Sequence, residues 1–137
     1  MPSLFLSYRR ADRHAAGLLR AEIARRIGES RVFMDVRDVP IGEGFPDEIA
    51  SALSGARSTL ALIGSGWIAE QDRLHEPDDW VRREIETAIA GESRVIPVLL
   101  DDLELPPPDT LPDSLHTLPT LQAYRVGSDH LVSRKVD

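Results

Sequence analysis

The sequence predicts an α/β fold, a five-stranded parallel sheet in the order 2-1-3-4-5 with helices on both faces. Three observations carry this. Short apolar runs alternate with segments of helical spacing along the whole chain, the pattern of strand-helix-strand units. The connections between strands are long enough to be crossovers, which parallel neighbours require. The central run, "STLALIG" at 58–64, is almost entirely apolar, as a strand covered on both faces must be.

Taken in order, "LFLSY" (4–8) reads as strand one. Asp12 is a candidate N-cap for a helix whose Leu19, Ile23 and Ile27 recur every fourth residue and which stops at Gly28. "RVFMDV" (31–36) is strand two. The Gly- and Pro-rich "RDVPIGEGFP" (37–46) is a loop. A second helix holds Ile49, Ala50 and Leu53 and ends at Gly55. Strand three is 58–64, and a long connection leads from it to a helix in "DDWVRREIETAIAG" (78–91). "RVIPVLL" (94–100) is strand four, where Pro97 points to a bulge or an edge. Residues 101–119 carry five prolines and read as a surface loop with room for a short helical turn. "LQAYRV" (121–126) is strand five, and Ser128 is placed to cap a last helix. Five strands so connected match the flavodoxin-like order. In such sheets ligands bind outside the carboxyl ends of the strands, where the strand order reverses. The candidate residues there are Ser7, Tyr8, Arg9 and Arg10 after strand one, Asp35 to Phe45 after strand two, and Gly64 to Trp67 after strand three.

Composition narrows the function classes. The chain has 137 residues, a length that favours one domain, and 42% of them are hydrophobic. It has no cysteine, which excludes disulfides, thiol catalysis and thiolate metal sites and fits a reducing, cytoplasmic setting. A net charge of -7 argues against a generic nucleic-acid or anionic-membrane surface. The longest apolar run is too short to span a bilayer. The four histidines are scattered, and no metal site is expected.

The helix at 78–91 raises the chemical question. Stepping about 100° per residue from Val81 puts Ile85, Ala88 and Ile89 on one apolar stripe and Arg82, Arg83 and Glu86 on the far side. Glu86 is then ordinary solvent-facing charge. Glu84 falls at the edge of the stripe, one turn from Trp80 on the same flank. By itself this is a rim carboxylate with a nearby arginine. The helix follows strand three, however, so its start lies at the binding end of the sheet. Trp80 is a pocket wall or a core residue, and Trp67 is packing or pocket wall. Arg9 and Arg10 are donors for a phosphate or structural partners for Asp35 or Asp38. "GEG" at 42–44 is a turn, since it opens no helix in a G-x-G-x-x-G pattern. A phospho-receiver of the same fold is excluded, because strand three ends in Ile63-Gly64-Ser65 and the sole lysine is Lys135.

"FLSYRR", "VFMDV" with "RDVPIGEGF", "ALIGSGW", and "DDWVRREIETAI" with "VIPVLL", in that order over residues 4–126, resemble a TIR (Toll/interleukin receptor) domain. The likeness is to the bacterial NAD-cleaving type and to the animal TIR enzyme that degrades NAD, because Trp80 and Glu84 form the W-x-x-x-E arrangement that many adaptor TIR domains lack. The resemblance implies a flavodoxin-like fold, a mobile loop at 37–46 and cleavage of the nicotinamide–ribose bond, with Glu84 catalytic. It implies substrate binding by Ser7, Tyr8, Arg9 and Arg10 and by Phe45 after strand two; Asp35, Trp67 and Trp80 join them as substrate-binding candidates by their place at the same end of the sheet. NAD+ is then the substrate, with no cofactor, and TIR–TIR self-association is expected. The resemblance also implies a role in anti-phage immunity and a product that is ADP-ribose or a cyclic isomer. The whole chain reads as a single TIR domain, the N-terminal part of a longer protein.

The residues suit that chemistry. Nicotinamide leaves neutral because its ring is already cationic, so no general acid is required. The transition state resembles the oxocarbenium ion of glycoside cleavage. A glutamate at its reference pKa of about 4.3 is ionised at neutral pH, and one such carboxylate can hold ribose hydroxyls and stabilise positive charge. The competing reading is a TIR–TIR interaction module without catalysis.

Overall fold

The computed structural model describes residues 4–28, 31–34, 55–91 and 93–127. Its strands are β1 (Leu4–Ser7), β2 (Val32–Phe33), β3 (Ser58–Ile63), β4 (Arg94–Leu100) and β5 (Tyr124–Val126). They form one five-stranded sheet in the order β2-β1-β3-β4-β5, and every pairing is parallel. The helices are α1 (Arg13–Ile27), α2 (Ser65–Ala69) and α3 (Trp80–Ala90).

Side-chain alternation along the strands divides the core into two layers. Phe5, Ala61, Ile63, Val95 and Leu99 face the layer that holds Val81, Ile85 and Ala88 of α3. Leu6, Leu62, Val98 and Leu100 face the opposite layer, with Ala16 and Leu19 of α1. Phe33 of β2 stacks on Phe5, ring centroids 5.2 Å apart. The sheet is thus covered on both sides, which is why β3 is apolar from Leu60 to Ile63.

Local chemistry sets the ends of the elements. α1 stops at Gly28, whose φ of 102° is open to glycine and strained for other residues. α3 begins after Asp79, whose carboxylate accepts from the Arg82 N–H, a normal N-cap.

The long connection after β3 contains α2 and a 3-10 turn over Gln71–His75. Three expectations are revised. Residues 101–119 are more than surface, because the short 3-10 turns there bury Leu111, Leu115 and Leu118 in the α3-side core. Pro97 marks neither a bulge nor an outer strand: β4 lies between β3 and β5, and its register with β3 runs unbroken from Ser58–Arg94 to Ile63–Leu99. β5 pairs only from Val98 onward, so at Pro97 one side of β4 has no ladder for a missing N–H to interrupt. Ile89 is 36% exposed, so the buried stripe of α3 ends at Ala88. Asp35, Asp38, Phe45, the loop at 37–46, the helix around 49–53 and the helix expected from Ser128 lie outside the described residues.

Candidate functional site

The carboxyl end of β1 builds the site by the alternation that builds the core. Phe5 points to the α3 layer, so Ser7 and, in the extended chain beyond it, Arg9 point the same way. Leu6 points to the α1 layer, and Tyr8 packs against that cluster. The "SYRR" segment is therefore split between the faces of the sheet.

Ser7 Oγ donates to Glu84 Oε1 at 2.7 Å. Both residues are buried: Ser7 is 1% exposed and Glu84 7%. The helical wheel placed Glu84 at the edge of the stripe. It lies further in, because the end of β1 and the first turns of α3 close over it. Two residues on, Arg9 makes a bidentate pair with Asp79, Nη1–Oδ1 at 2.7 Å and Nη2–Oδ2 at 2.9 Å. The two side chains are only 4% and 1% exposed. Arg9 Nη2 also reaches the Glu70 carbonyl at 3.4 Å, and Arg73 approaches Asp79 at 3.8 Å. Arg9 Nε is buried without a hydrogen-bond partner among the described residues. The sequence left Arg9 and Arg10 open as phosphate donors or as structural partners for Asp35 or Asp38. Among the described residues the partner is Asp79, 70 positions away in the chain.

Asp12 occupies the N-cap position of α1 but makes no side-chain cap there. Its carboxylate instead accepts from the backbone N–H groups of Gly66 and Trp67, each at 2.9 Å, and so caps α2. The contact is close enough to require glycine at 64, where a Cβ would come within 2.6 Å of the Asp12 carboxyl carbon. Asp12 thereby clamps the loop after β3 to the loop after β1.

The two tryptophans differ. Trp67 is 1% exposed and belongs to the α3-side core with Phe5, Leu74 and Ile85. The α2 turn held by Asp12 tucks it inward, so its ring packs in the core. Trp80 is half-buried and packs against the same core from the start of α3. Arg10 is exposed beside the buried Arg9.

Glu86 is not plain surface charge. It accepts from Arg82 Nε at 2.8 Å and from Ser114 Oγ at 2.5 Å, joining α3 to the turn at Asp113–Leu115. Partial burial pushes its carboxyl up, but the hydrogen bonds from Ser114 and Arg82 and the charges of Arg82 and Arg83 outweigh it, leaving the pKa below the ordinary 4.5.

A groove of about 350 Å³ lies elsewhere, lined by Ile89, Ser93, Arg94, Val95, Thr117, Leu121 and Gln122. It sits at the amino end of β4, away from Ser7 and Glu84, and carries one charged side chain. The buried polar groups converge at the other end of the sheet, where α/β folds bind ligands. Among the described residues, no three His, Asp or Glu side chains are grouped to hold a metal, and no helix is long and apolar enough to cross a membrane.

A parallel sheet in the order 2-1-3-4-5 and a glutamate drawn in beside the end of β1 define a flavodoxin-like domain with a polar site at the carboxyl end of its strands. The chain belongs to the TIR domain family, which matches residues 4–129. It is 30% identical over 118 residues to the NAD(+) hydrolase SARM1 of Danio rerio, a match that covers 85% of this chain and 16% of that protein. The chain thus spans about a sixth of that relative's length. Solved structures agree on the fold. The TIR domain of the Toll-related receptor TRR-2 from Hydra magnipapillata superposes with a TM-score of 0.62 at 15% identity, covering 91% of this chain and 84% of that one. The TIR domains of the activated Roq1 resistosome, which directly recognizes the pathogen effector XopQ, superpose with a TM-score of 0.65 at 14% identity, covering 99% and 98%.

Proposed function

We propose that this TIR domain cleaves NAD+ at the bond between nicotinamide and ribose, with Glu84 as the catalytic residue. One observation carries the reading: the Glu84 carboxylate is drawn in at the carboxyl end of the sheet, with one oxygen engaged by a hydroxyl at 2.7 Å. A carboxylate so placed accepts hydrogen bonds from hydroxyls, and a ribose presents two. As the bond from C1′ to the nicotinamide nitrogen breaks, its electron pair leaves with the ring, which becomes neutral. The sugar becomes oxocarbenium-like, and a fixed anion in a water-poor site stabilises it far better than water does. Water then attacks C1′, loses its proton to solvent and gives ADP-ribose; attack by a nitrogen of the adenine gives a cyclic product instead. The likeness to an NAD(+) hydrolase supports this reading.

Ser7 orients the carboxylate before substrate arrives, and Trp80 and the exposed Arg10 border the NAD+ site. Self-association of TIR domains raises activity by favouring a competent arrangement of the loops. The setting is cytoplasmic, and the role is defence signalling of the anti-phage kind. The test is chromatography of products from NAD+ at a protein concentration that allows assembly. Wild type is expected to yield nicotinamide with ADP-ribose or a cyclic isomer, and Glu84→Ala to yield neither. Self-association with no nicotinamide from wild type would leave an interaction module.

A further inference from the structure

We infer that Arg9 is a positioning residue that sets where Glu84 stands through its buried pair with Asp79, and is not a phosphate-binding group. The inference rests on the proposal that Glu84 is catalytic. Two ties join the same two segments. Ser7 meets Glu84, and Arg9 meets Asp79. An extended chain advances about 6.6 Å from residue 7 to residue 9. A helix rises about 7.5 Å over five residues, the interval from Asp79 to Glu84. The segments run in opposite directions and the two spacings nearly match, so both ties close together with little distortion.

The chemistry of the pair agrees. A guanidinium fork on a carboxylate fixes orientation as well as distance, which a single hydroxyl contact does not. Burying such a pair costs desolvation of both ions, so its use is more readily placed in geometry than in stability. Asp79 caps α3 through the Arg82 N–H, so whatever holds Asp79 holds the first turn of the helix that carries Glu84. A guanidinium already held on two oxygens and almost wholly covered is not a spare phosphate donor.

The test uses Arg9→Lys, which keeps the charge without the fork, and Asp79→Asn, which keeps a good cap without the charge. Each is checked for folding by thermal melting and assayed for NAD+ cleavage beside wild type. Positioning predicts that both variants lower kcat about 10- to 100-fold with KM for NAD+ within about twofold, and that the double variant is no worse than the poorer single one. A rise in KM for Arg9→Lys with Asp79→Asn unaffected would overturn it, because that is the signature of a substrate contact. A second readout is independent of catalysis: the carboxyl carbon of Glu84, followed by NMR in folded protein. In both variants it should shift in the direction produced by Ser7→Ala. An unmoved signal would overturn the positioning role. If wild type cleaves no NAD+, the proposed function falls, and the NMR shifts alone decide this inference.

Discussion

The two ends of α3 are built from one amphipathic helix and do different work. Its amino half lies against the carboxyl end of β1 and draws polar groups inward: Asp79, Arg9, Ser7 and Glu84 are all buried. Its carboxyl half lies over the amino end of β4, leaves Ile89 36% exposed and borders the groove. The groove has the blander chemistry. Polar burial is costly unless it is satisfied, so where a fold concentrates it is a better pointer to function than where the fold leaves space.

The contrast can be sharpened by substitution along and around α3. The largest stability gap is expected between two isoleucines a turn apart. Ile85 is 0% exposed, so Ile85→Ala should cost about 2–5 kcal/mol in urea unfolding, whereas Ile89→Ala should cost under about 1 kcal/mol. A smaller effect is expected at Asp12. Asp12→Ala strands the Gly66 and Trp67 N–H groups and should cost about 2 kcal/mol, with NAD+ cleavage falling as the loops after β1 and β3 come apart. At the groove end, Ser93→Ala loses the buried Thr59–Ser93 hydrogen bond of 2.8 Å. It should cost about 1 kcal/mol and leave nicotinamide release unchanged. A loss of cleavage there would erase the distinction between the ends.

The smallest effect depends on pH. Because the folded-state pKa of Glu86 is depressed, its stabilisation is present above the ordinary value of 4.5 and is lost as the pH falls through the lower folded value. Glu86→Gln should therefore destabilise by about 0.5 kcal/mol near neutral pH and by nothing measurable well below pH 4.5. An equal gap at both pH values would mean that the shape of the side chain, not its charge, holds α3 to the turn at Asp113–Leu115.

Much of the fold was legible because it follows from periodicity. The apolar runs mark the strands, and the spacing of Val81, Ile85 and Ala88 marks the buried face of α3. The placement of Glu84 was legible in part: the wheel puts it at the edge of the buried stripe, and strand order puts it at the carboxyl end of the sheet. The strand period also carries a signal that the motif obscures, since residues 5, 7 and 9 share a face and Tyr8 does not. The ion pair was out of reach. Arg9 and Asp79 are 70 positions apart, and no local pattern says which of the many acidic residues meets which arginine. Asp12 shows the same limit from the other side: its position before a helix suggested a cap for α1, but tertiary approach gave it the N-terminus of α2. Pro97 misled because a strand can be interior and yet lack a neighbour along part of its length.

The central claim is that the Glu84 carboxylate carries the chemistry. Glu84→Gln keeps the shape and the capacity to accept from Ser7 while removing the charge, so it isolates that claim. The decisive measurement is the rate of nicotinamide release from NAD+ by wild type and Glu84→Gln, compared at equal assembly and equal melting temperature. A fall of about 1,000-fold or more is expected in the variant, as when a group stabilising transition-state charge is removed. A variant within a few fold of wild type would contradict it.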